Sequence, residues 1–156
     1  RGPMLVATEG FASCAAEVSL RRALDLAGRC GTSRERPAAF GLAAVLEVRG
    51  EYRKSQTLLE QYMPTQGCDS SYAAEWHHLL ACSTFHQGQF AVALDHALRG
   101  LSVAPTANDS ALLRDFGEHP RAECHTWAAL ALWFLGCPDQ SLEHAALAAT
   151  IIGTPR

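Results

Sequence analysis

Apolar residues recur along this chain at helical spacing, and the helices they predict are interrupted by the same turn three times. The turns are Arg49-Gly50-Glu51-Tyr52, Gln87-Gly88-Gln89-Phe90 and Leu135-Gly136-Cys137-Pro138. Each glycine follows about a dozen residues of helix-forming sequence and precedes, five residues on, a small residue: Ser55, Ala93 or Ser141. The clearest stripe is Phe90, Ala93, Leu94, Ala97, Leu98 and Leu101, with a steady i, i+3, i+4 alternation. Leu20, Ala23, Leu24 and Ala27 mark an earlier helix from Cys14 to Cys30, with Gly31 placed to end it. Thr32 and Ser33 offer the next start, and Pro37 falls in its first turn.

The pattern predicts further helices over Arg36–Arg49, Glu51–Met63, Ser71–Gln87, Phe90–Val103, Pro120–Leu135 and Asp139–Ile152. Tyr52, Ser55, Leu59, Tyr62 and Met63 form one inward face; Trp76, Leu79 and Leu80 another; Trp127, Leu130, Ala131 and Phe134 a third. Pro64, Gly67 and Asp69 break the chain after Met63, and Pro105 stops the fifth helix. Residues 105–119 are irregular, with a short helical stretch around Ser110–Asp115, and lengthen the second glycine interval to 48 residues against 38 for the first. Loops of that length are uncommon in compact domains and often functional.

A turn glycine leaves the first helix through a conformation that a β-carbon resists. A small residue at the crossing lets two helices approach to about 8–10 Å. One such pair cannot cover its own apolar face, so units of this kind stack. The predicted fold class is therefore all-α: a right-handed α-solenoid of about three stacked helix–turn–helix units plus one N-terminal helix, about seven helices. The organisation reads as a tail (1–13), a helix of a preceding repeat (14–31), repeat 1 (36–65), repeat 2 (71–104), a loop (105–119) and repeat 3 (120–153).

The turns resemble those of the tetratricopeptide repeat, which carries small residues midway along its first helix, Gly-x-[Tyr/Phe]-x-x-Ala at the turn, and a terminal proline. The second unit matches best, through Leu80, Ala81, Gly88, Phe90, Ala93, Ala97 and Pro105; the first matches through Leu42, Ala43, Leu46, Gly50, Tyr52, Ser55 and Leu59; the third through Ala128, Ala129, Leu132, Gly136, Ser141 and Ala145. Serine replaces alanine twice, and Pro138 stands in the aromatic's place. A narrower resemblance rests on residues 9–18, 41–51 and 129–142, above all Trp133-Phe134-Leu135-Gly136-Cys137-Pro138-Asp139-Gln140, with the loop Asp115-Phe116-Gly117-Glu118-His119-Pro120. These segments are similar to the carboxy-terminal helical repeats of large bacterial signalling ATPases of the STAND type, in which the repeats follow a nucleotide-binding switch domain. The resemblance implies a cytoplasmic sensor or scaffold segment, with catalytic modules outside these residues. In the tetratricopeptide register, Phe40, Glu47, Val48, Glu75, His78, Cys82, Phe85, His86, Glu123, Thr126, Leu130, Trp133 and Phe134 line a concave groove. Its expected occupant is a protein or peptide, or another domain of the parent chain, and Trp133 and Phe134 read equally well as packing against a following repeat.

Composition narrows the chemistry. At 156 residues and 48% hydrophobic content, the chain suffices for one folded domain. It begins with Arg1, as a piece of a longer protein would. Residues 1–60 carry nine basic and seven acidic groups, and residues 61–156 four and nine. The basic residues are interleaved with acidic ones, so no nucleic-acid footprint emerges. The longest apolar run, Trp127 to Cys137, is eleven residues, against about twenty for a membrane span.

Six cysteines at 14, 30, 68, 82, 124 and 137 have no metal-ligand pairing and read as reduced thiols. Lys54-Ser55 lacks the glycine-rich run of a phosphate loop. Cys124 and His125 are adjacent and so diverge on a helix. Glu17, Glu47, Glu51, Glu60, Glu75, Glu123 and Glu143 read as solvated helix faces, and Trp76 and Trp127 as core. No catalytic, cofactor or metal residues are assigned. The alternative reading is a small-molecule or metal sensor using His78, Cys82 and His86, one turn apart on one helix, with the 105–119 loop.

Overall fold

The computed structural model describes residues 10, 13–30, 35–63, 73–103 and 119–153. Among them are seven α-helices and no strand: α1 (Cys14–Cys30), α2 (Glu35–Val48), α3 (Tyr52–Tyr62), α4 (Ala73–His86), α5 (Phe90–Ser102), α6 (Pro120–Phe134) and α7 (Pro138–Gly153). Each lies within two residues of its sequence-derived position. Pro120 and Pro138 open their helices, where a missing N–H costs nothing. The tail, the Gly31 cap, the break after Met63 and the 105–119 loop lie outside the described residues, apart from Gly10, Ser13 and His119 at their margins.

All three turn glycines have positive φ: 74° at Gly50, 77° at Gly88 and 80° at Gly136. Their backbone bonds are the same. Gly88 N–H donates to Phe85 O (2.9 Å) and Gln89 N–H to Thr84 O (3.0 Å). Gly50 and Glu51 donate likewise to Glu47 O and Leu46 O, and Gly136 and Cys137 to Trp133 O and Leu132 O. This is a Schellman motif in triplicate, and it satisfies carbonyls that the helix end leaves bare. The residue after each glycine then opens the next helix, its carbonyl receiving the N–H of Ser55, Ala93 or Ser141.

The chain divides into two compact units, residues 1–63 and 64–156. In the first, α1 packs on α2 and α2 on α3. Ala16, Leu20, Leu42, Val45 and Leu46 form its core, flanked by Leu24 and Leu58. Arg49, in the turn, bonds Glu17 and reaches Cys14 Sγ at 3.3 Å, tying α1 to the end of α2. The hydrogen bond from Arg21, then the charges of Arg21 and Arg49, hold the Glu17 carboxyl below the usual range.

In the second unit α4 packs on α5, α5 on α6, α4 on α6, and α6 on α7. Where α4, α5 and α6 meet, the core is three alanines, Ala81, Ala97 and Ala128, with Leu94 and Trp127 closing its edge. Small side chains at a crossing let helix backbones approach closely. Gly100 is tighter still. A β-carbon there would lie 2.5 Å from Cys124 Sγ and 3.2 Å from the His77 β-carbon. Arg121 donates from α6 to Leu101 O (3.1 Å) and Val103 O (3.0 Å), capping the end of α5.

The small residues after the turns are all buried: Ser55 and Ala93 at 0% exposure, Ser141 at 7%. The two serines do more than the alanine they replace. Ser55 Oγ donates to Glu47 Oε1 (3.2 Å), and Ser141 Oγ to Ala129 O (2.7 Å), each across its turn. Some expected faces differ. Glu47 and Glu75 are buried instead of solvated, because α2 is covered from Ala38 to Glu47 and α4 from Ala74 to Thr84. Leu98, Leu130 and Phe134, expected inward, are exposed.

Two substitutions test this frame by urea unfolding. Gly88 has open space about it, so Gly88→Val is expected to cost about 1–3 kcal/mol through backbone strain alone. Gly100→Ala is expected to cost a similar amount by overpacking, and Cys124→Ala in the same chain to recover part of it. Unchanged stability in Gly88→Val contradicts the turn assignment.

Candidate functional site

The turn that joins α4 to α5 gathers aromatic side chains. Phe85 sits three residues before Gly88 and Phe90 two after it. The turn folds them together with ring centroids 5.3 Å apart. Two rings of α6 complete the group, because α6 packs on both helices. Trp127 lies 5.5 Å from Phe85 and Phe134 also 5.5 Å, the latter edge to face. Phe134 stacks on Phe90 at 4.6 Å. His86 meets Trp127 edge to face at 5.4 Å. Phe85, Phe90 and Trp127 are half-buried, while Phe134 is 59% exposed.

The cluster therefore has a fixed floor and an open lip. Edge-to-face and stacked pairs each add about 0.5–1.5 kcal/mol beyond burial, so the rings hold one another in place. The lip continues along α6: Leu130, Trp133 and Phe134, at i, i+3 and i+4, are 39%, 61% and 59% exposed. A preorganised apolar surface of this kind accepts aliphatic or aromatic side chains, and its ring faces accept cations.

The expected groove residues separate into two sets. Phe40, Glu47, Glu75, His78 and Cys82 are buried. Burial pulls the His78 imidazole down to about 4, so it is neutral at neutral pH. Phe85, Glu123 and Thr126 are half-buried, and His86 and Trp133 are exposed. Burial pushes the Glu123 carboxyl up, and Thr126 Oγ1 donates to Ala122 O at 2.9 Å. The structure joins Phe85 and His86 in the ring cluster, and adds Phe90 and Trp127, which the periodicity assigns only to the core. The aromatic two residues after the turn glycine is the signal that points to Phe90.

His78, Cys82 and His86 are less of a ligand set than their spacing suggests. His86 Nδ1 lies 2.9 Å from Cys82 O and 3.7 Å from Cys82 Sγ. A carbonyl only accepts, so Nδ1 carries the hydrogen and is occupied. Among the described residues, no group of three or more His, Cys, Asp or Glu is gathered to hold a metal ion. Cys124 and His125 diverge as expected. The Cys124 thiol faces Ala74 O at 3.8 Å, whereas the His125 ring meets His144. Burial first, then Glu123 and Glu75, push the Cys124 thiol up to about 12 against the opposing pull of Arg121.

No family model, no curated protein and no solved structure matches the chain. Among the described residues, no helix is long and apolar enough to cross a membrane.

Phe85→Ala removes a ring that touches four others and is expected to lower stability by about 2 kcal/mol, whereas Trp133→Ala should change it by less than about 0.5 kcal/mol. Alkylation of the folded chain at pH 8, mapped by mass spectrometry, should modify the exposed Cys14 and Cys137 and spare Cys82 and Cys124.

Proposed function

We propose that this chain is a non-catalytic protein-interaction segment: a tetratricopeptide-like, right-handed α-solenoid serving as the scaffold or sensor arm of a cytoplasmic bacterial signalling ATPase. Its partner is a protein or peptide, or another domain of the parent chain. The observation that carries the reading is the half-open ring cluster of Phe85, Phe90, Trp127 and Phe134, continued by the exposed Trp133. Exposed aromatic rings on a rigid frame are characteristic anchors for a partner's side chains. The repeated glycine turn and the packing of α4 on α5, α5 on α6 and α6 on α7 support the repeat architecture.

A second reading, a small-molecule sensor, draws on the same cluster, since packed ring faces also accept a flat or cationic ligand.

A photo-crosslinking residue at position 133, compared in cells with one at the exposed Arg53, separates the readings. Protein adducts specific to position 133, lost on Phe134→Ala with helicity unchanged, are the expected result. Absence of protein adducts at position 133, with reproducible thermal stabilisation by one small molecule, would replace the first reading with the second.

A further inference from the structure

We propose that two histidine pairs, His77–His96 and His125–His144, are proton-operated clasps that hold α4 to α5 and α6 to α7 and release when both imidazoles of a pair are protonated.

The pairs are the same device built twice. The 48-residue interval from Gly88 to Gly136 also separates His77 from His125 and His96 from His144. In both copies the two Nδ1 atoms face each other, at 3.2 Å and 3.0 Å, with ring centroids 5.4 Å and 5.1 Å apart. The α4 and α6 members are 9% exposed, and the α5 and α7 members are half-buried.

Two nitrogens this close share one hydrogen: one donates and the other accepts. A neutral pair satisfies this, and so does a pair with one proton added, since an imidazolium Nδ1–H still meets a neutral acceptor. A pair with two added protons places two donors and two positive charges against each other, and the contact cannot persist. At the corresponding positions relative to Gly50, the first helix pair carries Ala39 and Leu58, which do not titrate. Leu58 packs against the apolar core there.

The surroundings disfavour charge on His77 and His125. Burial first, then the charges of His96 and Arg99 on α5, pull His77 down to about 4 against the opposing effect of Asp95. From α6, Cys124 lies across Gly100 from the His77 β-carbon. That thiol is itself influenced by Arg121, Glu123 and the α4 residue Glu75. His125 is lowered by burial, then by His144 on α7 and Arg121 on its own helix. The other carboxylates at the α7 end, Asp139 and Glu143, are exposed.

The sign is then fixed. The unfolded chain takes up protons at its histidines near pH 6.5, while His77 and His125 resist in the folded chain. Stability is intact above that pH and falls as pH drops from about 6.5 towards 4. His77 alone accounts for a loss of about tenfold in the folding equilibrium constant between pH 7.5 and 5.5. Opening is felt beyond the pair, because the His77 β-carbon lies beside Gly100, where α4, α5 and α6 meet.

The test transplants the apolar counterpart from the first helix pair. The full chain carrying His77→Ala, His96→Leu, His125→Ala and His144→Leu is compared with the native chain by urea unfolding at pH 7.5 and 5.5, where exposed carboxylates stay ionised. His78, buried on α4, has the same sign of effect and is present in both chains, so the difference isolates the pairs. The native chain should lose at least about tenfold more of its folding equilibrium constant than the variant over this interval. Equal losses overturn the proposal. Should the variant not fold, ring NMR titration of the native chain decides. His77 and His125 staying neutral through pH 5 supports the clasp, and ordinary titration of both near 6.5 overturns it. Stabilisation of the native chain by equimolar zinc, abolished by His96→Leu, would make the pairs metal ligands and likewise overturn it.

Discussion

The close approach of helices at small side chains is the constraint on which the rest of this structure depends. Ala81, Ala97 and Ala128 meet where α4, α5 and α6 converge, and Gly100 gives Cys124 the space a methyl group would take. Larger side chains flank this contact. Leu94 and Trp127 close the alanine cluster from outside, and the rings of Phe85, Phe90 and Phe134 collect beside them at the turn. The aromatic surface is thus a by-product of tight packing as much as a separate feature. A bulkier core would spread the helices and part the rings.

Much of the framework was legible in the sequence, for a specific reason. A left-handed turn between two helices demands glycine, and Gly50, Gly88 and Gly136 announce it without reference to tertiary contacts. The helix bounds follow, since a Schellman turn and a proline both act within a few residues. The fates of Glu47 and Glu75 were not legible. Charge argues for solvent, and burial of these carboxylates depends on the packing of other helices around α2 and α4. The serines at 55 and 141 read as mere small residues, although each carries a hydrogen bond to a group that only folding places within reach. Phe134 reads as inward by period and yet is largely open, because hydrophobic spacing specifies a face without specifying what covers it.

The candidate site shows the same division. Phe85 and His86 emerge from a register argument, Phe90 from its place two residues after the turn glycine, and Trp127 only from the packing of α6 across the α4–α5 turn. The histidine pairs occupy the opposite stretch of the same helices, eleven residues before Gly88 and Gly136 and eight after them. In α4–α5 and α6–α7 one end is therefore closed by backbone hydrogen bonds and the body by facing imidazoles.

The residue after each turn glycine belongs to two helices at once. Gln89 donates its N–H backward to Thr84 and offers its carbonyl forward to Ala93, and Glu51 and Cys137 act alike. With no spare link between the two coils, their rotational phase is locked. An inserted or deleted residue at this joint would swing the following helix by about 100° about its axis, carrying the small-residue seam to the solvent and bringing bulk into the seam. The joint within a pair therefore behaves as a rigid elbow that tolerates no change of length without turning the next helix out of register.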